Sequence, residues 1–248
     1  MTVAADIVEN ALLGGRVRLR QPARGYRAGL DAGLLAAAVA AAPGQRVIEA
    51  GCGAGGALLQ IAARCPDAVL TGVEREVQAA ALACANAELN GVADRVEVLT
   101  ADVADGFRTL DRAPYDWAVS NPPFFDDPGA LRPPAEGKRA AWMADDGLAA
   151  WTGFLLKAVK ENGRIVLIHR ADRLADILAL LAPKAGSFAV LPVHPHADEP
   201  AKRVLVAATK TGKAPLRLLP PLILHERGGA KHTPQAEAIL RGEAGIAL

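Results

Sequence analysis

Apolar and polar positions along the chain predict strands and helices in turn. Arg46-Val47-Ile48-Glu49-Ala50 is a short apolar strand that runs straight into glycines, and residues 57–64 then read as a helix. Residues 69–74 predict the next strand. A helix follows over 75–89, with Gly91 placed as its C-terminal cap, and then a third strand over 96–100. A fourth strand over 115–120 ends at Asn121-Pro122-Pro123. The pattern predicts a helix over 145–161, stopped by Asn162-Gly163, and a fifth strand over 164–169. Residues 187–193 and 203–210 read as a closing pair of strands joined by a longish loop. Thr233-Pro234 opens a last helix, with proline at its first position, and Gly242 ends it. The alanine-rich stretch 34–42 reads as a buried helix.

This alternation implies an α/β fold with a mostly parallel sheet covered on both faces. Ligands of such sheets bind beyond the carboxyl ends of the strands. Gly51, Glu74, Asp102 and Asn121 each end or follow a strand, so all four are expected to face one crevice. Two parts are expected: an arginine-bearing N-terminal extension over 1–44 that packs on the core, and a domain over 45–248.

Composition narrows the class. The 248 residues are 51% hydrophobic and 22% charged, a globular balance. The formal net charge of +1 argues against a strongly basic nucleic-acid wrapper but leaves room for local patches. Cys52, Cys65 and Cys84 form no CxxC pair, which suggests reduced thiols and a cytoplasmic protein. No apolar run is long enough to span a membrane, and the first residues lack the pattern of a secretory signal.

Gly51-Cys52-Gly53-Ala54-Gly55-Gly56 follows a strand and opens a helix. Glycines there allow a tight turn and a close approach of backbone to ligand. Glu74, 23 positions after Gly51, can accept hydrogen bonds from both hydroxyls of a ribose. Loop and carboxylate together point to a nucleoside cofactor, with nicotinamide and S-adenosylmethionine sites sharing the architecture. Glu49, two residues before Gly51, is placed to position the amino group of a methionine moiety. Asp102 is placed either to accept from an adenine amine or to cap a helix.

Ser120-Asn121-Pro122-Pro123-Phe124 adds the acceptor side. Two prolines fix φ and remove two backbone donors. The segment therefore offers carbonyl oxygens and the Asn121 side-chain oxygen, which suit the two hydrogens of an exocyclic amine. Phe124 offers a ring on which a base can stack.

With the glycine loop, this tetrad resembles that of the amino-methyltransferases that use S-adenosylmethionine. The whole chain resembles the bacterial valine-tRNA adenine (6-amino) methyltransferase family. The likeness extends over 15–20, Gly29-Leu30-Asp31 with Leu34-Leu35-Ala36, Glu199-Pro200-Ala201-Lys202-Arg203 and the Thr233-Pro234 helix. It implies a class I, Rossmann-like, doubly wound sheet of seven strands, with S-adenosylmethionine held by Glu49, Gly51, Gly53, Glu74, Asp102 and Asn121. It further implies methyl transfer to an adenine amine in RNA, most naturally tRNA, at Asn121, Pro122 and Phe124. Protein-glutamine and ribosomal-guanine methyltransferases share the tetrad, and a binding module without catalysis is a further alternative.

Arg16, Arg18 and Arg20 alternate, and in a strand they would share one face. With Arg24 and Arg27 they are either phosphate contacts for RNA or a charged edge. Lys138 and Arg139, in the proline-rich stretch after the tetrad, are further RNA candidates. His194-Pro195-His196 has poor spacing for zinc and reads as a surface loop, so no metal is expected. Trp142 and Trp151 read as packing residues, and Cys52 has no partner pattern for a thiol nucleophile.

Overall fold

The computed structural model describes residues 6–23, 28–123, 147–228 and 230–248. Phe124, Lys138, Arg139, Trp142, Arg24 and Arg27 lie outside them. The elements are β1 (Ile7–Leu12), β2 (Val17–Pro22), α1 (Leu30–Ala37), β3 (Arg46–Ala50), α2 (Gly56–Arg64), β4 (Val69–Glu74), α3 (Val77–Leu89), β5 (Val96–Thr100) and β6 (Tyr115–Ser120). They continue with α4 (Leu148–Ala158), β7 (Val159–Arg170), α5 (Leu174–Leu181), β8 (Ala185–His194), β9 (Arg203–Lys210), β10 (Arg217–Leu218), β11 (Leu222–Ile223) and α6 (Pro234–Arg241).

The central sheet runs β10-β8-β9-β7-β6-β3-β4-β5, with β11 also on β8. The pairs among β5, β4, β3, β6 and β7 are parallel, and β9 is antiparallel to both β7 and β8. The seven expected strands form this sheet. Two strands of two residues each, β10 and β11, extend it to nine by pairing along the outer edge of β8. Such short pairings carry no periodic signal in the sequence.

Each central strand is apolar on both faces because helices cover both. Val47 of β3 and Val166 of β7 belong to one buried cluster with α1 and α2, while their neighbours Ile48 and Ile165 join a second with α4 and α5. The expected helix over 145–161 is shorter in the structure. α4 ends at Ala158, and Val159 is already paired with Tyr115, so the apolar Val159 starts β7 and the polar Asn162-Gly163 lies within the strand. The last helix matches its signals: the Thr233 hydroxyl accepts from Ala236 N at 3.2 Å, and Gly242 takes φ +77° at the C-cap. Gly91, at φ +66°, ends α3 as its spacing implies.

β1 and β2 form a separate antiparallel ribbon. β2 begins at Val17, so Arg16 is outside the strand and does not share a face with Arg18 and Arg20. Its guanidinium donates instead to the carbonyls of Arg241 (3.2 Å) and Gly242 (2.8 Å), closing the C-terminus of α6. Cations suit that end of a helix, whose carbonyls lack partners. Arg18 and Arg20 do project from one face, where Glu9 of β1 binds both at 2.8 and 3.0 Å. No described helix is long and apolar enough to cross a membrane.

β4 passes under the glycine loop at Gly72, where a Cβ would stand 2.6 Å from Cys52 Sγ and 2.9 Å from Leu58 Cδ2. Both neighbours are buried. Gly72→Ala is expected to destabilise the protein by roughly 1–3 kcal/mol through overpacking, read as a lower urea midpoint at unchanged slope.

Candidate functional site

Sheet register brings the expected residues together. Ala50 lies opposite Val73 and Ser120, and Val73 lies opposite Leu99. The next row along the carboxyl edge is therefore Thr100, Glu74, Gly51 and Asn121, with Asp102 two residues past the end of that row on the β5 side. The Ser120 hydroxyl is buried and donates to Ala50 O at 2.9 Å, which ties the start of the Asn-Pro-Pro segment to the start of the glycine loop.

The loop turns on three left-handed glycines: Gly51 at φ +70°, Gly53 at +54° and Gly55 at +90°. At Gly51 a side chain is excluded twice, because a Cβ would also lie 2.3 Å from Cη2 of Trp151. Val73 O accepts from both Gly51 N and Cys52 N, at 2.8 and 3.0 Å. Gly53 has open space where its Cβ would be. Cys52 points inward, and burial pushes its thiol well above the usual range, so it is no nucleophile at neutral pH.

Three carboxylates surround the loop. Glu74 accepts from Gly53 N and Glu76 N, one at each oxygen, both at 2.9 Å. Each oxygen keeps a second lone pair. Asp102 Oδ1 caps the turn that follows β5 by accepting from Ala104 N at 2.9 Å. Glu49 is only 2% exposed. Its Oε2 has no partner among the described residues. Burial pushes its carboxyl up to about 8, the nearby Leu58 N–H in the first turn of α2 opposes this, and the charge on Glu74 adds to the rise.

One expected packing residue turns out to border the loop, and a second contributor escaped the pattern reading. Trp151, read as a packing residue, packs directly against the glycine turn. Asn86, 0% exposed in α3, donates to Ala54 O within the loop at 2.9 Å. The only trace of the second in the sequence is a pair of asparagines, Asn86 and Asn90, four apart on an alanine-rich helix. His194 and His196 each place Nδ1 on a backbone carbonyl, of Glu199 and His225, and no metal-binding cluster occurs among the described residues.

Comparison with known proteins gives the class. The methyltransferase small domain family model matches residues 27–132. A crystal structure of a predicted O-methyltransferase from Agrobacterium tumefaciens is 30% identical, with a TM-score of 0.72 over 88% of this chain and 99% of that one. The chain belongs to the S-adenosylmethionine-dependent class I methyltransferases. It is an enzyme, and S-adenosylmethionine is its cofactor. An O-methyltransferase structure from Thermotoga maritima, at 17% identity and TM-score 0.55 over 77% of this chain and 69% of that one, shares the fold. Among curated relatives, the tRNA1(Val) (adenine(37)-N6)-methyltransferase of Dickeya chrysanthemi is 29% identical over 78% of this chain and 76% of its own. That of Yersinia enterocolitica is 38% identical over 43% of this chain and 42% of its own.

The site of this methyltransferase fits the cofactor on its own chemistry. An open glycine turn, a carboxylate with spare lone pairs and a buried carboxylate oxygen without a donor meet at one strand edge. A cationic amine is the natural complement to the last of these.

Glu49 also makes a pH prediction for the cofactor-free protein. Its carboxyl titrates near 4.5 when unfolded and near 8 when folded. Between those values the folded state holds a proton that the unfolded state lacks, so stability falls as pH rises through the window, by up to about 1.4 kcal/mol per unit. Glu49→Gln removes that loss. Its stability relative to the native enzyme is expected to improve from pH 5 to pH 8 in urea titrations, and a pH-independent difference would contradict the buried titration.

Proposed function

We propose that this methyltransferase transfers the methyl group of S-adenosylmethionine to the 6-amino group of an adenine in tRNA, a cytoplasmic substrate. The observation that carries the reading is the position of Asn121, in the same row as Gly51 and Glu74 and next to the Ser120–Ala50 tie. The names of the Dickeya and Yersinia relatives point the same way.

Glu74 receives the ribose hydroxyls on its free lone pairs, while Gly51 and Gly53 let the backbone approach the ligand. Glu49 receives the ammonium of the methionine moiety, and Asp102 the adenine amine. Bound there, the cofactor supplies a methyl carbon made electrophilic by its sulfonium. Asn121 Oδ1 and the Pro122 carbonyl accept the two hydrogens of the target amine and aim its lone pair. Those acceptors would face the positive charge that develops on the target nitrogen as it takes up the methyl group. The surplus proton then leaves to water, and no strong base is required. Phe124, outside the described residues, is assigned the stacking face.

The RNA approaches along the carboxyl edge. There β7, β9 and β8 rise past the row of Ser120: Leu167 pairs with Ser120, and β7 continues to Arg170, opposite Arg203. Three residues of strand make a wall about 10 Å high beside Asn121. Arg18 and Arg20, held by Glu9 on the ribbon, and Lys138 and Arg139 complete the proposed RNA contacts.

Two measurements test this reading. Asn121→Ala is expected to fold and to bind S-adenosylmethionine near-normally while losing roughly 10²–10³ in turnover, as removal of a preorganised transition-state group does. Near-normal turnover would overturn the acceptor role. Incubation with labelled cofactor and total RNA, followed by digestion, is expected to place the label on N6-methyladenosine. Label on guanosine, or on glutamine in a parallel incubation with a protein extract, would keep the site and move the substrate.

The ammonium contact has its own readout. Glu49 must lose its proton to receive a cation, so cofactor binding is expected to release protons at pH 7 and to tighten as pH rises toward 8. Calorimetry in two buffers of different ionisation enthalpy measures this, and Glu49→Gln should abolish it. A proton count of zero in the native enzyme would exclude the contact.

A further inference from the structure

We infer that Asn86 is a positioning residue for the cofactor loop, and that the N-terminal ribbon is part of that site because Asn86 joins the two. The inference rests on reading the glycine turn as the cofactor loop.

β1 covers one edge of β2, and the other edge is left with unpaired peptide groups. Two side-chain amides from α3 pair with them. Asn90 Oδ1 accepts from Arg18 N at 2.8 Å and its Nδ2 donates to Arg18 O at 2.7 Å. Asn86 repeats the pattern two residues on, with Arg20 N at 2.9 Å and Arg20 O at 2.8 Å. The spacings agree: four residues of helix rise about 6.0 Å, and two residues of strand about 6.6 Å. Each amide thus stands in for a peptide group of a neighbouring strand.

The two asparagines differ in what else they hold. The second Nδ2 hydrogen of Asn90 goes to Asn86 O in its own helix, at 2.7 Å. That of Asn86 goes to Ala54 O, in the middle of the glycine turn. Ala54 lies between Gly53 and Gly55, both in left-handed conformations, where the backbone has little stiffness of its own. The first bond of α2 is Leu59 N to Gly55 O, at 3.0 Å, so the Ala54 carbonyl takes no part in the helix. Asn86 binds that carbonyl instead and sets the direction of the Ala54–Gly55 peptide. Ala28, just beyond the ribbon, lies directly against Gly56, where a Cβ would stand 2.1 Å from its own. The loop is thus held by Asn86, which also binds the ribbon, and by the segment that follows the ribbon.

Asn90 provides the control, because it docks the same strand without touching the loop. Asn86→Ala and Asn90→Ala are both expected to lower stability. Asn86→Ala alone should weaken S-adenosylmethionine binding, by roughly tenfold for the loss of a hydrogen bond of ordinary strength. Its KM for the cofactor should rise in step, while kcat at saturating cofactor stays within about threefold, since no transition-state contact is lost. Amide exchange should quicken over 53–56 in Asn86→Ala and not in Asn90→Ala. Equal effects of the two variants on cofactor affinity, or none from either, would overturn the positioning role.

Should Asn86→Ala not fold, the native enzyme serves. Cofactor binding is expected to slow exchange of the Arg20 amide, held by Asn86, more than that of the Arg18 amide, held by Asn90. Equal protection would overturn the inference. A native enzyme that binds no S-adenosylmethionine in the same calorimetry would instead sink the cofactor-loop reading itself.

Discussion

The turn from β3 into α2 is the constraint on which the rest of the structure depends. Three residues with positive φ within five positions reverse the chain, and only glycine adopts such a run at little cost. Each neighbour then touches the turn in a definite way. β4 supplies Val73 O and the Glu74 carboxylate, and α4 supplies the indole of Trp151. α3 supplies the Asn86 amide, and the segment after the ribbon supplies Ala28. The turn is held from outside because it cannot hold itself.

Glu49 shows how the same constraint yields chemistry. A carboxylate on a central strand is normally costly, since burial penalises its charge. Here the N–H of Leu58, at a helix start where donors lack partners, offsets part of that penalty, and Oε2 meets no donor among the described residues. The folded protein tolerates this by holding a proton near neutrality. A ligand that brings its own positive charge would relieve the strain. That is the energetic sense in which the free protein is prepared for a cationic amine.

The sheet has a half whose strands end near one row and a half whose strands run on past it. On the β3–β4–β5 side the strands end in register, so loop, carboxylates and cap form a shallow ledge. On the β7–β9–β8 side they continue past that ledge, and Arg203 of the rising wall is paired with Asp31 at the start of α1. A flat ledge beside a wall suits a nucleoside lying down and a polymer arriving from above. β10 and β11 add width at the far edge and stand away from this chemistry.

Much of this was legible in the sequence. Seven strands, the glycine turn, the Thr233 and Gly242 caps and the row of Gly51, Glu74 and Asn121 follow from hydrophobic period, turn chemistry and the rule that parallel strands end together. These are local signals, or a global rule applied to local ones. What tertiary structure decided is contact between segments far apart in sequence. Arg16 reads as one of three strand arginines, yet it closes a helix 225 residues away because its strand begins one residue later. Asn162-Gly163 reads as a helix stop, yet it sits inside a strand because Val159 already pairs with β6. Asn86 reads as an unremarkable polar residue on a helix, and only tertiary packing gives its amide three partners, two on a ribbon 66 residues earlier and one on the glycine turn 32 residues earlier. A periodic pattern records which face a residue turns inward. It does not record what that residue meets there.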